Sequence, residues 1–201
     1  MSGIKFIILV GLAYALGNIS PSILLGKAQG IDIKKEGSGN AGTTNALRVL
    51  GKKAAVITLV VDIMKGVIAV LLGMHFGNYT IGTVCALAVF CGHIWPCFYR
   101  FKGGKGVATA FGAILAVNWQ LALMELAVVA AGLLVSKRMS AGSILGAVLF
   151  PFLCWWLEPG FIKIGCVMAL IVVIKHRANI KRLINGEEPK MFSKKEENNE
   201  K

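Results

Sequence analysis

The apolar residues of this chain fall in unbroken stretches, and that one feature limits the possible folds more than any other. Seven runs stand out: Phe6–Leu25, Ala54–Met74, Ile81–Trp95, Val107–Val117, Leu121–Val135, Ile144–Leu157 and Phe161–Ile174. The first two reach the roughly 20 residues that a helix needs to cross a bilayer core. The later ones are shorter, so their helices must extend into neighbouring polar residues, or the bilayer must thin around them. A soluble domain of this length carries more charge and shows amphipathic periods, whereas here 56% of residues are hydrophobic and 16% charged. The expectation is an all-α integral membrane protein, a bundle of seven transmembrane helices. Residues 1–186 make its single domain, and 187–201 read as a frayed, charged cytoplasmic tail. The first run follows one lysine and so has the look of a signal peptide, but the further runs behind it favour an anchor that stays.

Charge supplies the orientation. Nineteen of the 22 basic residues lie in four regions, 26–53, 96–106, 137–138 and beyond 174, while the connections 75–80, 118–120 and 158–160 hold none. Short loops rich in lysine and arginine stay in the cytoplasm. All four regions can share that side only if Val107–Val135 is two helices turning at "NWQ", residues 118–120. The amino terminus is then outside and the carboxyl terminus cytoplasmic. Lys5 is a weak dissent, outweighed by six charges after the first run. The five cysteines mostly sit inside apolar runs without a CxxC pair, which suits small buried hydrophobes rather than disulfides or zinc.

With that orientation, three unusual polar stretches share one face. The first is "GSGNAGTTNALR", Gly37–Arg48. Its glycines let the backbone turn N–H groups toward one point, and a helix starting near Thr43 or Thr44 aims its positive end there. Ser38, Asn40, Thr43 and Asn45 add polar side chains, and Arg48 can grip an oxyanion with a planar fork. A phosphate site explains this density better than a simple helix cap. The second stretch is "GHIWPCFYRFKGGKGVAT", Gly92–Thr109, with Gly103, Gly104 and Gly106 before a helix start and Lys102 and Lys105 between them. It is not a Walker A loop, yet it suits an anion equally well. The alternative is lysines that meet lipid headgroups, and His93 reads equally as a satisfied histidine within the bundle. The third is "KHRANIKRLINGEE", Lys175–Glu188, where the last run becomes a basic amphipathic helix. His176 and Asn179 fall on one face of it and can point back into the bundle. The flanking Lys175 and Arg177 should favour a neutral His176 imidazole. In the second run, Asp62 and Lys65 read first as a structural ion pair, with a charge supplied to the site by Lys65 as the competing idea.

These three stretches, with "DIMKG" at Asp62–Gly66, resemble in order, spacing and membrane side the signature motifs of the bacterial acyl-phosphate:glycerol-3-phosphate acyltransferase family. The resemblance covers nearly the whole chain. It implies a polytopic enzyme of the bacterial inner membrane with its active site on the cytoplasmic face. Its reaction moves a fatty acyl group from acyl phosphate to the first hydroxyl of glycerol 3-phosphate, making lysophosphatidic acid. The resemblance assigns Lys102 and Lys105, with Gly103, Gly104, Gly106, Thr109 and His93 around them, to glycerol 3-phosphate. The shape of the first stretch assigns Gly37, Ser38, Gly39, Asn40, Thr43, Asn45 and Arg48 to the donor phosphate. The expected catalytic set is His176, Asn179, Ser38, Arg48 and Lys105. The proton goes either to neutral His176, held by Asn179, or to a substrate phosphate.

The residues agree with a small phosphorylated substrate and a second one with a lipid tail. The His-x4-Asp pair of the soluble-domain glycerolipid acyltransferases is missing, as is the aspartate-rich metal motif of CDP-alcohol phosphotransferases. No internal repeat suggests a transporter. No cofactor or metal is expected, because before residue 187 the cytoplasmic motifs offer only Asp32 and Glu36 as carboxylates. The expected partners are the bilayer, the two substrates and a soluble acyl-phosphate-forming enzyme; nucleic acid is not among them.

Overall fold

The computed structural model describes residues 2–191, and every regular element within them is helical. The ten α-helices are α1 (Gly3–Gly17), α2 (Pro21–Ala28), α3 (Thr43–Val49), α4 (Lys52–Phe76), α5 (Tyr79–Ile94), α6 (Val107–Val117), α7 (Trp119–Ser136), α8 (Met139–Leu157), α9 (Ile162–Lys175) and α10 (Arg177–Ile184). Of the expected tail, residues 192–201 lie outside the described residues.

Four helices, α4, α5 with the turn after it, α7 and α8, are individually long and apolar enough to cross a membrane. Two bent pairs bring the number to six: α1 with α2, turned by 41°, and α9 with α10, turned by 56°. The remaining apolar helix, α6, has 11 residues. The first bend follows from sequence, since Pro21 opens α2 and cannot continue the hydrogen bonding of α1. Asn118 makes the break between α6 and α7. Its backbone is extended, its Oδ1 accepts from the N–H groups of Gln120 (2.9 Å) and Leu121 (3.1 Å), and its Nδ2 donates to Glu158 Oε2 (2.9 Å). Val107–Val135 is therefore two helices, as the distribution of basic loops requires.

Lipid offers no hydrophobic drive between helices, so close backbone approach takes its place. Gly92 of α5 packs so tightly that an added Cβ would come within 2.2 Å of the Tyr14 carbonyl on α1. At Gly112 of α6 it would come within 2.0 Å of the Ile63 carbonyl on α4, and at Gly142 of α8 within 2.3 Å of the Val129 carbonyl on α7. Large apolar side chains point outward instead, Leu134, Val148 and Leu170 among them. The interior holds Phe90, Phe161, Leu121 and Met168. It also holds charged side chains, Asp62 and Lys65 on α4.

Candidate active site

One cavity of about 500 Å³ runs from a polar mouth into the apolar helices. Its mouth draws on all three polar stretches: Ser38, Asn40, Thr43, Asn45 and Arg48 from the first, Lys105 and Gly106 from the second, His176 and Asn179 from the third. Ile114, Val129, Ala147, Phe150 and Met168 line the apolar arm. The chain thus joins a cationic, hydrogen-bonding head to an oil-like groove.

The second stretch reaches the cavity through Lys105. Gly106, at φ +85°, lets the chain turn into α6 while pressed against the Phe90 ring, where an added Cβ would come within 2.3 Å. The Lys105 ammonium donates to Asn179 Oδ1. Asn179 Nδ2 donates to Glu188 Oε1 (2.7 Å), which also accepts from Ser140 Oγ (2.6 Å), and Arg182 Nε donates to Glu188 Oε2 (2.7 Å). Burial pushes Lys105 down to about 8, with Arg182, Arg48 and Lys175 adding to that against the pull of Glu188. Burial opposes ionisation of Glu188, yet the hydrogen bonds from Ser140, Asn179 and Arg182 outweigh it and hold its carboxyl below the usual range.

His176 forms the joint between α9 and α10 and is buried. Its Nδ1 lies 2.8 Å from the Val172 carbonyl, which only accepts, so Nδ1 carries the proton and Nε2 keeps a lone pair. Burial first, and the Lys105 charge second, hold the imidazolium down to about 4. This corrects two expectations. The neutral form is set by burial and Lys105 rather than by Lys175 and Arg177, and Val172 rather than Asn179 orients the ring. Asn179 instead positions Lys105.

The first stretch is also rearranged. Three of its N–H groups are spent inside the loop: Ser38 donates to Asn45 Oδ1 (2.8 Å), Gly39 to the Glu36 carbonyl (3.0 Å) and Gly42 to the Asn40 carbonyl (3.0 Å), while α3 starts at Thr43 as expected, with Thr43 and Thr44 in the cavity lining. Asn45 Nδ2 in turn donates to the Ile33 and Glu36 carbonyls, both at 3.1 Å. Asn45 therefore folds the loop from inside, and Gly37 at φ +59° lies so close that a side chain there would strike its amide oxygen. Gly39, also left-handed at φ +67°, turns the loop without lining the cavity. Asn45 still borders the cavity, and Ser38, Asn40, Thr43 and Arg48 line the mouth beside it; Thr43 Oγ1 is buried without a hydrogen-bond partner among the described residues.

Several expected contacts lie elsewhere. Lys102 is exposed and off the cavity, and its charge is felt by Lys34, which does not line the cavity either. Thr109 is fully buried off the cavity, with its carbonyl against Gly66 of α4. Gly103 and Gly104 pin the loop by donating to the Ile94 and His93 carbonyls, both at 3.2 Å. Asp62 and Lys65 do form the ion pair, at 2.7 Å, and Lys65 also donates to the Gly17 and Ile19 carbonyls, so its charge is committed within the bundle. Among the described residues no group of histidine, cysteine and carboxylate side chains is arranged to hold a metal.

Sequence reasoning missed Ser140, Arg182, Glu188 and Glu125, all of which line the cavity. Glu188 falls in the stretch expected to be a frayed tail, yet it is buried, because Ser140, Asn179 and Arg182 converge on it. Glu125 has a local signal, as the one charged residue of the run Leu121–Val135.

Residues 7–186 match the family described as "Glycerol-3-phosphate acyltransferase". A glycerol-3-phosphate acyltransferase of Clostridioides difficile (strain 630) is 46% identical over 204 residues, spanning 96% of this chain and 98% of the relative. One from Thermoanaerobacter pseudethanolicus (strain ATCC 33223 / 39E) is 42% identical, spanning 92% and 95%. The crystal structure of PlsY, described as an integral membrane glycerol 3-phosphate acyltransferase in its glycerol 3-phosphate form, superposes with a TM-score of 0.89. It is 34% identical over 94% of this chain and 96% of that one. The structure of PlsY described as its lysophosphatidic acid form superposes with a TM-score of 0.85.

Proposed function

This chain belongs to the glycerol-3-phosphate acyltransferase family, and from that premise we propose that it acylates the sn-1 hydroxyl of glycerol 3-phosphate from acyl phosphate, giving lysophosphatidic acid. The observation that carries this reading is the shape of the cavity, a cationic mouth continuous with an apolar arm. A phosphorylated headgroup and a fatty chain need those two environments side by side. A compact acyl phosphate suits the mouth better than an acyl thioester carrying a nucleotide, for which the sequence has no binding loop.

Lys105 and Arg48 hold the phosphates, and Ser38, Asn40 and Thr43 supply neutral hydrogen bonds beside them. The acceptor hydroxyl oxygen attacks the acyl carbonyl carbon, the carbon–oxygen bond to phosphate breaks, and inorganic phosphate leaves with the electron pair. No covalent acyl-enzyme is needed, because the mixed anhydride is already activated. An imidazole held at about 4 is a weak proton acceptor near neutrality. His176 Nε2 therefore orients the hydroxyl, and a substrate phosphate takes its proton. The donor must be made by a separate, soluble enzyme that forms acyl phosphate.

The same reading places the protein in the bacterial inner membrane with seven spans, α6 counted as one, the amino terminus outside and the cavity mouth in the cytoplasm. The basic connections support that orientation. Cysteines introduced at His75 and Lys190, after Cys97 and Cys166 are replaced, should label from opposite sides; labelling of both from one side overturns the topology. For activity, purified protein in vesicles is given glycerol 3-phosphate with acyl phosphate or with acyl-coenzyme A. Lysophosphatidic acid and inorganic phosphate should form only with the former, and efficient use of the thioester alone would refute the donor.

A further inference from the structure

We propose that Glu125 sets the reach of the acyl chain in the apolar arm, making it the chain-length determinant of this enzyme, an inference that rests on the acyltransferase reading above. Glu125 is the only charged residue of α7 and stands six residues inside its Trp119 end. It lines the same cavity as the polar mouth. Its Oε2 is buried and has no hydrogen-bond partner among the described residues. Its Oε1 lies over Gly146 of α8, where an added Cβ would come within 2.4 Å. Any larger residue at 146 would displace the carboxyl, so the fold makes room for it at that spot.

Depth follows from helix geometry. Ser140 of α8 belongs to the mouth through its hydrogen bond to Glu188. Gly146 comes six residues later, about 9 Å deeper at 1.5 Å per residue. Phe150 also lines the cavity and lies about 6 Å beyond that. The arm therefore continues past the carboxyl. A saturated chain that ends above Glu125 meets apolar wall and Ser143, whose hydroxyl is already spent on the Met139 carbonyl (3.0 Å). A longer chain must lie against an unpaired carboxyl, exclude any water from it and offer it no donor, which is costly in an apolar setting. An ionisable group inside a span that pairs with nothing usually has a functional reason to be there.

The experiment compares saturated acyl phosphates of increasing length on wild-type protein and on Glu125→Leu, Glu125→Met and Glu125→Gln, reading kcat/KM for each length and Tm in detergent. In the leucine and methionine variants the ratio of long-chain to short-chain kcat/KM should rise by about tenfold, equivalent to about 1.4 kcal/mol. The KM for glycerol 3-phosphate and the Tm should not worsen, because an unpaired polar group has been removed, and Glu125→Gln should keep the wild-type profile. Methionine covers the case in which branching at 125 disturbs the packing over Gly146. A length profile unchanged in both apolar variants overturns the proposal. If the wild type uses only another acyl donor, the donor reading falls, and the same length series on that donor still decides the role of Glu125.

Discussion

Nζ of Lys65 lies 2.8 Å from Nδ1 of His93, deep between α4 and α5. An ammonium only donates, so Nδ1 must accept and Nε2 carries the ring proton. The 3.3 Å approach of Nδ1 to Asp62 is then a contact between two acceptors: the three N–H groups of Lys65 serve Nδ1 and the Gly17 and Ile19 carbonyls, and Asp62 is held by the opposite charge 2.7 Å away. Nε2 of the ring faces Gly104, where an added Cβ would come within 2.2 Å of it. A charge on α4 thereby fixes a histidine that backs the loop presenting Lys105. Lys65 also bonds the carbonyls at the break between α1 and α2, so one side chain ties that break to the floor of the site.

Removing Lys65 should therefore cost stability before it costs chemistry. Lys65→Met leaves the Asp62 carboxylate buried without its partner, a loss of about 3–5 kcal/mol. The double variant Lys65→Met, Asp62→Leu removes both charges and should recover much of that. Thermal melts in detergent decide it: a single variant as stable as wild type would mean the ion pair holds nothing together.

Two lysines three apart in the sequence should behave differently. Lys105 lines the cavity, so Lys105→Ala should raise the KM for glycerol 3-phosphate by roughly a hundredfold, the loss of one charge-assisted contact worth about 1.5–3 kcal/mol. Lys102 is exposed off the cavity, so Lys102→Ala should leave that KM within about twofold, as expected of a contact with solvent or headgroups. Equal effects from the two substitutions would place Lys102 back in the site.

The pH profile carries the same lysine. Burial lowers Lys105 to about 8, so its charge is present below that value and is lost as pH rises through it. The kcat/KM for glycerol 3-phosphate should fall on that limb, because this ratio reports the free enzyme. The acid limb should follow the substrate phosphate, whose second ionisation lies at about 6. Lys105→Arg keeps its charge at high pH and should shift the alkaline limb upward whatever its absolute rate. A limb that stays in place in the arginine variant assigns it to another group.

Much of this was legible in the sequence for physical reasons. Long apolar runs need no tertiary information, and the basic-loop rule located the break at Asn118, whose side chain then caps α7. The residues that meet at the mouth were mostly found because glycine, lysine and histidine are unusual beside an apolar run. Direction was harder to read. Asn45 and Lys102 have the chemistry of ligand contacts, but only packing shows that one braces the loop and the other faces outward. Glu188 was hidden because its burial depends on Ser140, 48 residues away, and no local pattern reports that contact.

The proton separates two mechanisms, and His176 is where they differ. With Nδ1 bound to the Val172 carbonyl, only Nε2 can meet the acceptor hydroxyl. If that nitrogen merely accepts a hydrogen bond while a substrate phosphate takes the proton, His176→Gln should keep turnover within about tenfold, the value of one hydrogen bond of about 1 kcal/mol. A true general base contributes roughly 10²–10⁴-fold, so a loss of that size in the glutamine variant would assign the proton to the imidazole. The two routes also differ in acid: if the imidazole is the base, wild-type turnover falls steadily below about 4 as it is protonated, whereas in the phosphate route protonating Nε2 costs only that one hydrogen bond, within about tenfold. Neither route passes the acyl group to the protein. Incubation with radiolabelled acyl phosphate without acceptor should leave the washed, denatured chain unlabelled, and stable label on it would remove direct attack from consideration.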